Sequence, residues 1–289
     1  MKVLMIVNSS KDLEYKLSLE IASYLKEKNI CLYTDDVELV NKTTFINKYD
    51  DGKDIDFAVV LGGDGTILKY AHDYEGNLFP FLGVNLGRVG ALALVEKDNY
   101  KEVFDKVLSG DYFIETQNGL DVSIKYNETN EVVNLTAFND VIIHRGLSLN
   151  LLSMFVSVND CREDKFYADG LVVATPVGSS AYNASAGGPL LYRGSKAYVL
   201  TPICPQLKSF SSLVVDENDE IRVKLGTGKN CIKKEYIVSA DGNKKFFVST
   251  DDEVFIKKSN TILKMIRVDK RGSIYTSVHK AVVSIRKGE

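Results

Sequence analysis

The first hundred residues alternate between short apolar runs and segments whose apolar positions recur every three to four residues. The apolar runs predict buried strands at residues 3–7, 31–33, 57–61 and 81–84. The helical spacing predicts helices over residues 12–28, 66–74 and 101–108. Strands that alternate with helices favour a parallel, doubly wound sheet. Residues 1–109 are therefore predicted to form an α/β domain with a Rossmann-like parallel sheet.

The pattern changes after about residue 110. Short β-prone runs follow one another, many of them alternate in period two, and Asn, Asp, Gly or Ser separates them. Examples are `DVSIKYN`, `DVIIHR`, `LLSMFVSV` and `AYVLTPI`. This pattern is typical of an all-β sandwich or a related layered sheet. Residues 110–262 are predicted to form this second domain.

Composition narrows the class of protein. The net charge of -3 argues against a nucleic-acid-binding protein that relies on bulk positive charge. The four cysteines lie far apart and form no C-x-x-C pair, which favours reduced thiols over a disulfide framework or a zinc site. The N-terminal apolar run is too short for a signal peptide, and no run approaches the length of a membrane span. We expect a cytoplasmic protein that does not bind membranes.

The sequence `GGDGT` follows the third predicted strand directly, where a helix is predicted to begin. Glycines allow close approach to the backbone, and a helix N-terminus favours anions, so this position suits a phosphate. Asp64 would itself repel a phosphate. It fits if Mg²⁺ lies between the two, or if the carboxylate accepts a proton from a hydroxyl that attacks the phosphate. A tight turn in which Gly and Asp serve the backbone is the alternative.

Two further stretches carry polar residues in unusual density. Residues 167–191, `YADGLVVATPVGSSAYNASAGGPLL`, are rich in glycine, hydroxyl and amide residues, and the stretch is longer than a β-turn needs. It is interpreted as a binding loop, with a long surface loop as the alternative. Asn139 and Asp140 precede a predicted strand. They mark a turn, or they supply an amide and a carboxylate that recognise a nucleoside.

`GGDGT`, `ND` and `DGLVVATPVGSSAYNASAGGP`, in this order, resemble the NAD kinases, which phosphorylate NAD at the 2′-hydroxyl of its adenosine ribose to give NADP. The resemblance covers about residues 56–245. Diacylglycerol, sphingosine and phosphofructo-kinases share the first motif, so a lipid kinase is an alternative. A sensor that binds NAD or NADP without catalysis is another. The long motif is the specific one.

The resemblance implies a role for each matching residue. Asp64 would accept the proton of the 2′-hydroxyl, Gly65 would contact substrate, and Lys69 would lie near the phosphates. Asn139 and Asp140 would bind the nucleoside. The other implied substrate-binding residues are Asp169, Ser180, Ala181, Tyr182, Asn183, Ala184, Ser185 and Asn243. No protein residue is assigned as a metal ligand.

The resemblance also implies cofactors and assembly. ATP with Mg²⁺ is the expected donor, inorganic polyphosphate stays open as an alternative, and a homodimer or homotetramer is expected. Residues 263–289 would pack on the first domain. Four positions depart from the family pattern: Val177 and Ser180 replace threonines, Ala91 replaces an aromatic residue, and Gln206 replaces a histidine.

Overall fold

The computed structural model describes residues 1–50, 54–74, 79–87, 90–148, 150–206, 211–226 and 236–268. The chain divides into two compact units. The first contains Met1–Thr116 together with residues 263–268, and the second contains Gln117–Ile262. The sequence placed the first boundary after residue 109. Residues 269–289 of the predicted C-terminal segment lie outside the described residues, so its packing stays a prediction.

The first unit is built from a central sheet and the helices that connect its strands. Its strands are β1 (Lys2–Val7), β2 (Cys31–Thr34), β3 (Ile46–Lys48), β4 (Phe57–Gly62), β5 (Phe81–Asn85) and β6 (Val95–Glu96). Its helices are α1 (Lys16–Glu27), α2 (Val37–Asn41), α3 (Asp64–Asp73) and α4 (Tyr100–Leu108). Strand β7 (Phe113–Lys125) begins in this unit and continues into the second.

The sheet of the first unit is parallel, as the sequence predicts. Its strand order is β3–β2–β1–β4–β5, with β6 beside β5. The last strand among the described residues, β18 (Glu253–Arg267), adds to β5 in parallel through Met265 and Phe81. The strand order reverses between β1 and β4. Ligands of doubly wound sheets bind beyond the carboxyl ends of the strands at such a reversal.

Two helices begin at positions that differ from the sequence-based bounds. Helix α1 starts at Lys16 rather than at residue 12, because Glu14 and Tyr15 adopt left-handed backbone conformations. The Asp12 carboxylate accepts hydrogen bonds from the first N–H groups of the helix, those of Leu17 and Ser18. Helix α3 starts at Asp64, two residues before the predicted start, because Gly63 is extended and caps it. The catalytic candidate therefore lies in the first turn of a helix.

The second unit consists of antiparallel strands. Its strands after β7 are β8 (Val132–Ala137), β9 (Asp140–His144), β10 (Leu152–Val158), β11 (Asp164–Ala168), β12 (Gly170–Ala174), β13 (Ala197–Ile203), β14 (Leu213–Asp216), β15 (Ile221–Gly226), β16 (Tyr236–Ala240) and β17 (Lys244–Val248). A short helix, α5 (Tyr182–Ser185), interrupts them. One sheet has the order β14–β13–β12–β9–β16–β17, and the other contains β11–β10–β15–β18 and the pair β7–β8.

The core of the second unit is formed by inward-facing residues of both sheets. Val141 and Leu171 from one sheet and Met154 and Val223 from the other belong to a single buried cluster. This confirms the predicted layered β domain. The sequence missed β11, β14 and β17. Strand β14 has an exposed and irregular burial pattern, so its residues carry little of the alternation that marks a strand.

Two simpler expectations concern membranes and cysteines. Among the described residues, no helix combines the length and the apolar character that a bilayer crossing requires. Cys31, Cys161 and Cys204 are free thiols. Cys231 lies outside the described residues.

Candidate active site

The glycine-ringed aspartate lies at the carboxyl edge of the parallel sheet. Asp64 Oδ2 accepts a hydrogen bond from Ala91 N at 2.5 Å. Asp64 Oδ1 accepts two more, from Leu92 N at 3.0 Å and from Ala93 N at 2.9 Å. Three backbone donors that lie 27 to 29 residues away along the chain thus fix the orientation of the carboxylate.

Two glycines next to this carboxylate serve different purposes. A Cβ at Gly90 would collide with the Asp64 carboxylate, so Gly90 is required for the contact itself. A Cβ at Gly65 would meet nothing within 4 Å. The protein does not need the small size of Gly65 for its own packing, and a ligand that approaches the helix N-terminus does benefit from it.

A cavity of about 920 Å³ opens around this loop. It lies beyond the carboxyl ends of β1, β2 and β4, at the reversal of strand order. Asn8, which follows β1, donates from Nδ2 to Thr66 Oγ1 at 3.1 Å. This hydrogen bond connects the turn after β1 to the first turn of helix α3. The predicted residues Asp64, Gly65 and Lys69 all line this cavity.

The sequence reasoning missed Lys11, which lines the same cavity. An added Cβ at either Gly63 or Gly87 would lie 3.3 Å from Lys11 Nζ, so both glycines leave room for the ammonium group. An exposed cation beside a glycine-rich loop suits a phosphate. The available signal was its place directly after the first strand, in the turn `NSSK`.

In the second unit, three polar segments meet at one end of a sheet. Asp140 pairs with Ala174 at the end of β12, and the neighbouring Val141 pairs with Ala240 at the end of β16. The Asn139–Asp140 turn, the loop after β12 and the turn after β16 are therefore neighbours. Asn243 lies in the last of these turns and is exposed.

Asp241 holds this arrangement together, and the sequence reasoning gave it no role. Its carboxylate accepts hydrogen bonds from three consecutive backbone N–H groups, at 2.8 Å from Phe138, 2.7 Å from Asn139 and 3.1 Å from Asp140. The signal was the dipeptide Asp241-Gly242, since both residues adopt positive φ in a turn. Asp64 and Asp241 thus organise the two units by the same device.

The Asn139–Asp140 turn contains polar atoms that suit a ligand. Among the described residues, the buried Oδ1 of Asn139 has no hydrogen-bond partner. Such an acceptor is costly unless a donor reaches it. Asp140 is 4% exposed, and burial, with the nearby Asp241 carboxylate as a second cause, raises its pKa to about 7. Its carboxyl group can therefore donate as well as accept near neutral pH.

The loop after β12 is held by its own side chains. Thr175 Oγ1 donates to Phe138 O at 2.7 Å. Asn183 is fully buried: its Nδ2 donates to Ser179 O and Pro189 O, and its Oδ1 accepts from Thr201. Asn183 therefore shapes the loop from inside, although the resemblance implied substrate contact. Its contact with substrate stays a prediction.

Other predicted residues of the loop reach the surface. Ser180 and Ala181 are half-buried, and Ser180 Oγ donates to Val177 O at 3.0 Å. Tyr182 is 40% exposed, and Ser185 is also exposed, while Ala184 is half-buried. Val177 is 3% exposed, so the departure from threonine at this position places a methyl group in the interior.

Asp169 does not join the other predicted residues within its unit. It precedes β12, whereas the loop follows β12, so about 15 Å of strand separates them. Its Oδ1 forms an ion pair with Arg145 Nε at 2.6 Å. Its substrate contact stays a prediction.

The donor set around Asp64 fits a magnesium ion that arrives with phosphates. Among the described residues, no group of three His, Cys, Asp or Glu side chains is placed to hold a metal. Magnesium is commonly bound by one or two carboxylates together with substrate phosphates. Three of the four lone-pair positions of Asp64 are used, which leaves one of Oδ2 for a further contact.

Comparison with known proteins matches both units. The family model described as the ATP-NAD kinase N-terminal domain matches residues 3–112. The model described as the ATP-NAD kinase C-terminal domain matches residues 138–268.

Individual relatives agree with the family models. An NAD kinase from Lachnoclostridium phytofermentans is 31% identical over 270 residues, covering 93% of this chain and 94% of that protein. An NAD kinase from Caldanaerobacter subterraneus is 36% identical over 213 residues, covering 74% of each chain.

Two solved structures share the fold, each at 23% identity. Yeast NADH kinase complexed with NADH has a TM-score of 0.85 and covers 98% of this chain and 87% of that chain. An NAD kinase from Archaeoglobus fulgidus in complex with ATP has a TM-score of 0.74 and covers 96% and 99%. From the two family models and the relatives above 30% identity, the chain belongs to the ATP-NAD kinase family.

Proposed function

We propose that this protein transfers the γ-phosphoryl group of ATP to the 2′-hydroxyl of the adenosine ribose of NAD, forming NADP. The observation that carries the proposal is an oriented carboxylate in a glycine-rich loop, at the N-terminus of α3 and inside a cavity. The choice of NAD as the phosphate acceptor is supported by the relatives named NAD kinase.

Asp64 accepts the proton of the attacking hydroxyl. Both lone pairs of Oδ1 and one of Oδ2 are taken by backbone amides, so the remaining position of Oδ2 is the proton acceptor. As the bond from the ribose 2′-oxygen to the γ-phosphorus forms, the bond from that phosphorus to the bridging oxygen breaks. The proton moves to Oδ2 as the hydroxyl becomes acidic.

Residues of the first unit hold the donor phosphates. Lys11 and Lys69 supply positive charge, and the N-terminus of α3 offers backbone N–H groups beside Gly65. Mg²⁺ bound with ATP would neutralise phosphate charge and would be held by the phosphates and water, because the remaining position of Asp64 Oδ2 serves as the proton acceptor.

Residues of the second unit recognise NAD. The unpartnered Oδ1 of Asn139 accepts a hydrogen bond from the dinucleotide, and the Asp140 carboxyl group forms a second polar contact. Tyr182, which is 40% exposed at the start of α5, offers a ring for stacking.

The test is formation of NADP by the purified full-length chain with NAD, ATP and Mg²⁺, measured by chromatography. Asp64→Asn is expected to lower kcat by about 100-fold or more, because general-base catalysis contributes about 10²–10⁴-fold. Asn keeps one acceptor oxygen for the Leu92 and Ala93 amides, although not for the Ala91 amide, and binding of NAD measured by calorimetry should persist. Asp73→Asn, an exposed carboxylate on the same helix, is the matched control and should keep full activity.

Three outcomes would contradict the proposal. Phosphorylation of a lipid alcohol but not of NAD would indicate a lipid kinase. NAD binding without turnover in the wild type would indicate a sensor. Full activity in Asp64→Asn would remove the proposed base.

A homodimer or homotetramer is expected from the resemblance, and sedimentation analysis of the purified chain tests it. We also expect a cytoplasmic location and a dependence of activity on Mg²⁺, and the second is checked by chelation with EDTA followed by addition of Mg²⁺.

A further inference from the structure

The cavity around Asp64 extends beyond the groups that the proposed reaction uses. Asp35 and Tyr70 also line it, and neither has a role at the transferred phosphate. An aromatic ring does not stabilise phosphate charge, and a second carboxylate opposes it. These two residues therefore suit a different part of the ligand.

Their position follows from the fold. Tyr70 follows Asp64 by six positions in α3, which is roughly 9 Å along the helix axis. It shares a helix face with Thr66, because residues four apart are neighbours on a helix. Asp35 follows β2 directly, so it lies at the same carboxyl edge of the sheet as Asp64. The spacing is comparable to the length of a triphosphate between its terminal phosphorus and the ribose.

The chemistry of the two side chains is that of a nucleoside site. The half-buried ring of Tyr70 is stacked at 6.1 Å and 22° on Tyr74. Burial, followed by the nearby Asp35 carboxylate, raises the pKa of Tyr70 to about 12, so its hydroxyl remains a neutral donor. The Tyr74 hydroxyl donates to Asp35 Oδ2 at 3.4 Å, which leaves acceptor capacity on the carboxylate.

The neighbouring carboxylate, that of Asp36, already accepts several hydrogen bonds. Asp36 caps α2 by accepting hydrogen bonds from Glu38 N and Leu39 N, and it also accepts from the Tyr15 hydroxyl. Asp35 is exposed, and among the described residues its side-chain donor is the Tyr74 hydroxyl. In dinucleotide-binding sheets, an acidic residue roughly 20 residues beyond the first phosphate-binding turn accepts ribose hydroxyls. Asp35 follows the turn after β1 by a comparable interval.

We propose that Asp35 and Tyr70 bind the nucleoside of the phosphate donor. The Asp35 carboxylate accepts hydrogen bonds from the ribose hydroxyls, and the Tyr70 ring packs on the ribose or base. This inference rests on the proposed function and adds to it, because these contacts favour a nucleoside triphosphate over inorganic polyphosphate as the donor.

The experiment compares ATP with inorganic tripolyphosphate, which carries the phosphates without the nucleoside. Binding of each to the full-length chain is measured by calorimetry in the presence of Mg²⁺. Asp35→Asn and Tyr70→Ala are each expected to weaken ATP binding about tenfold, with tripolyphosphate binding unchanged. Asp73→Asn, on the same helix and not among the cavity-lining residues, is the matched control and should match the wild type for both ligands.

The results separate this inference from the kinase assignment. An equal loss of affinity for both ligands, or no loss for ATP, would overturn the nucleoside site. A wild-type chain that forms NADP from polyphosphate and binds ATP no more tightly than tripolyphosphate would overturn it too, while the kinase function would stand. Tyr70→Phe keeps the ring and should retain most of the ATP affinity. It keeps the inference testable if Tyr70→Ala does not fold.

Discussion

Two glycines near Asp64 are small for different structural reasons, and the sequence alone does not distinguish these reasons. Gly90 is small because the Asp64 carboxylate occupies the space where its Cβ would lie. Gly65 is small although the protein leaves open space around it. The fold of the site requires the first glycine, and we expect the second to leave room for a ligand.

This difference predicts opposite effects on stability from the same substitution. Gly65→Ala should raise the free energy of unfolding by up to about 1 kcal/mol, because alanine is the better helix residue. It should also lower kcat/KM for ATP about tenfold or more, because the methyl group faces the donor. Urea denaturation and NADP formation measure the two effects.

Gly90→Ala provides the contrast. It should lower both stability and activity, with a loss of roughly 1–3 kcal/mol, because the new Cβ forces the Asp64 carboxylate from its backbone donors. If both variants changed stability in the same direction, the distinction between the two glycines would be wrong.

Lys11 is predicted to bind the phosphates of ATP and not to bind NAD. Removing its charge in Lys11→Met should lower kcat/KM for ATP roughly 10- to 100-fold, because a charged hydrogen bond to phosphate is lost. The KM for NAD should change little, and Lys11→Arg should restore part of the activity. Lys16→Met, an exposed lysine that does not line the cavity, is the control. Steady-state kinetics with each substrate varied would show the split, and an equal rise in both KM values would contradict it.

At the level of secondary-structure elements, each unit uses an aspartate to fix a turn that is remote in sequence. Asp241, which follows β16, binds the N–H groups that open β9, just as Asp64 at the start of α3 binds residues 91–93. Three backbone donors satisfied by one carboxylate make a rigid turn without any regular structure of its own. The polar atoms of Asn139 and Asp140 are placed by this device.

Asp241→Ala should therefore destabilise the second unit and weaken NAD binding together. Leaving three turn N–H groups without their acceptor is expected to cost roughly 2–4 kcal/mol of unfolding free energy. Thermal unfolding and calorimetric titration with NAD test both effects. Asp160→Asn, at a carboxylate with an 84% exposed side chain and a positive φ that Asn tolerates, should change stability by less than about 0.5 kcal/mol. Unchanged NAD affinity in Asp241→Ala would show that the turn does not depend on this carboxylate.

For the whole molecule, the buried Asp140 predicts a pH dependence of stability. Its pKa is raised to about 7 by burial and by Asp241, so the folded state binds a proton that the unfolded state has already lost. Its contribution to stability is present below the unfolded pKa near 3.8 and is lost as the pH rises toward 7.

Between pH 5 and pH 8 this group should lower the free energy of unfolding by about 2–3 kcal/mol. Asp140→Asn removes the titration, so the difference in stability between the variant and the wild type should shift in favour of the variant by that amount. Urea unfolding followed by circular dichroism at the two pH values measures it. Parallel pH profiles of the two proteins would show that Asp140 does not titrate in this range.

The sequence by itself determined the fold class and the parts of the site that lie in continuous motifs. Strand and helix patterns are local, so β1, β4 and the helix after `GGDGT` could be inferred from periodicity. Placing Asp64 where a strand ends and a helix begins was also local information. The motifs around Asn139 and residues 167–191 carried the family resemblance for the same reason.

The tertiary structure alone decided which side chains meet. The partners of Asp64 and Asp241 lie roughly 30 and 100 residues away, so only strand order and register bring them together. Lys11, Asp35 and Tyr70 share a cavity because parallel strands end at one edge. The same register places Asp169 at the far end of β12 from the loop it was grouped with, and buries Asn183 inside that loop. Sequence spacing predicts elements, but hydrogen bonds between distant segments depend on how those elements pack.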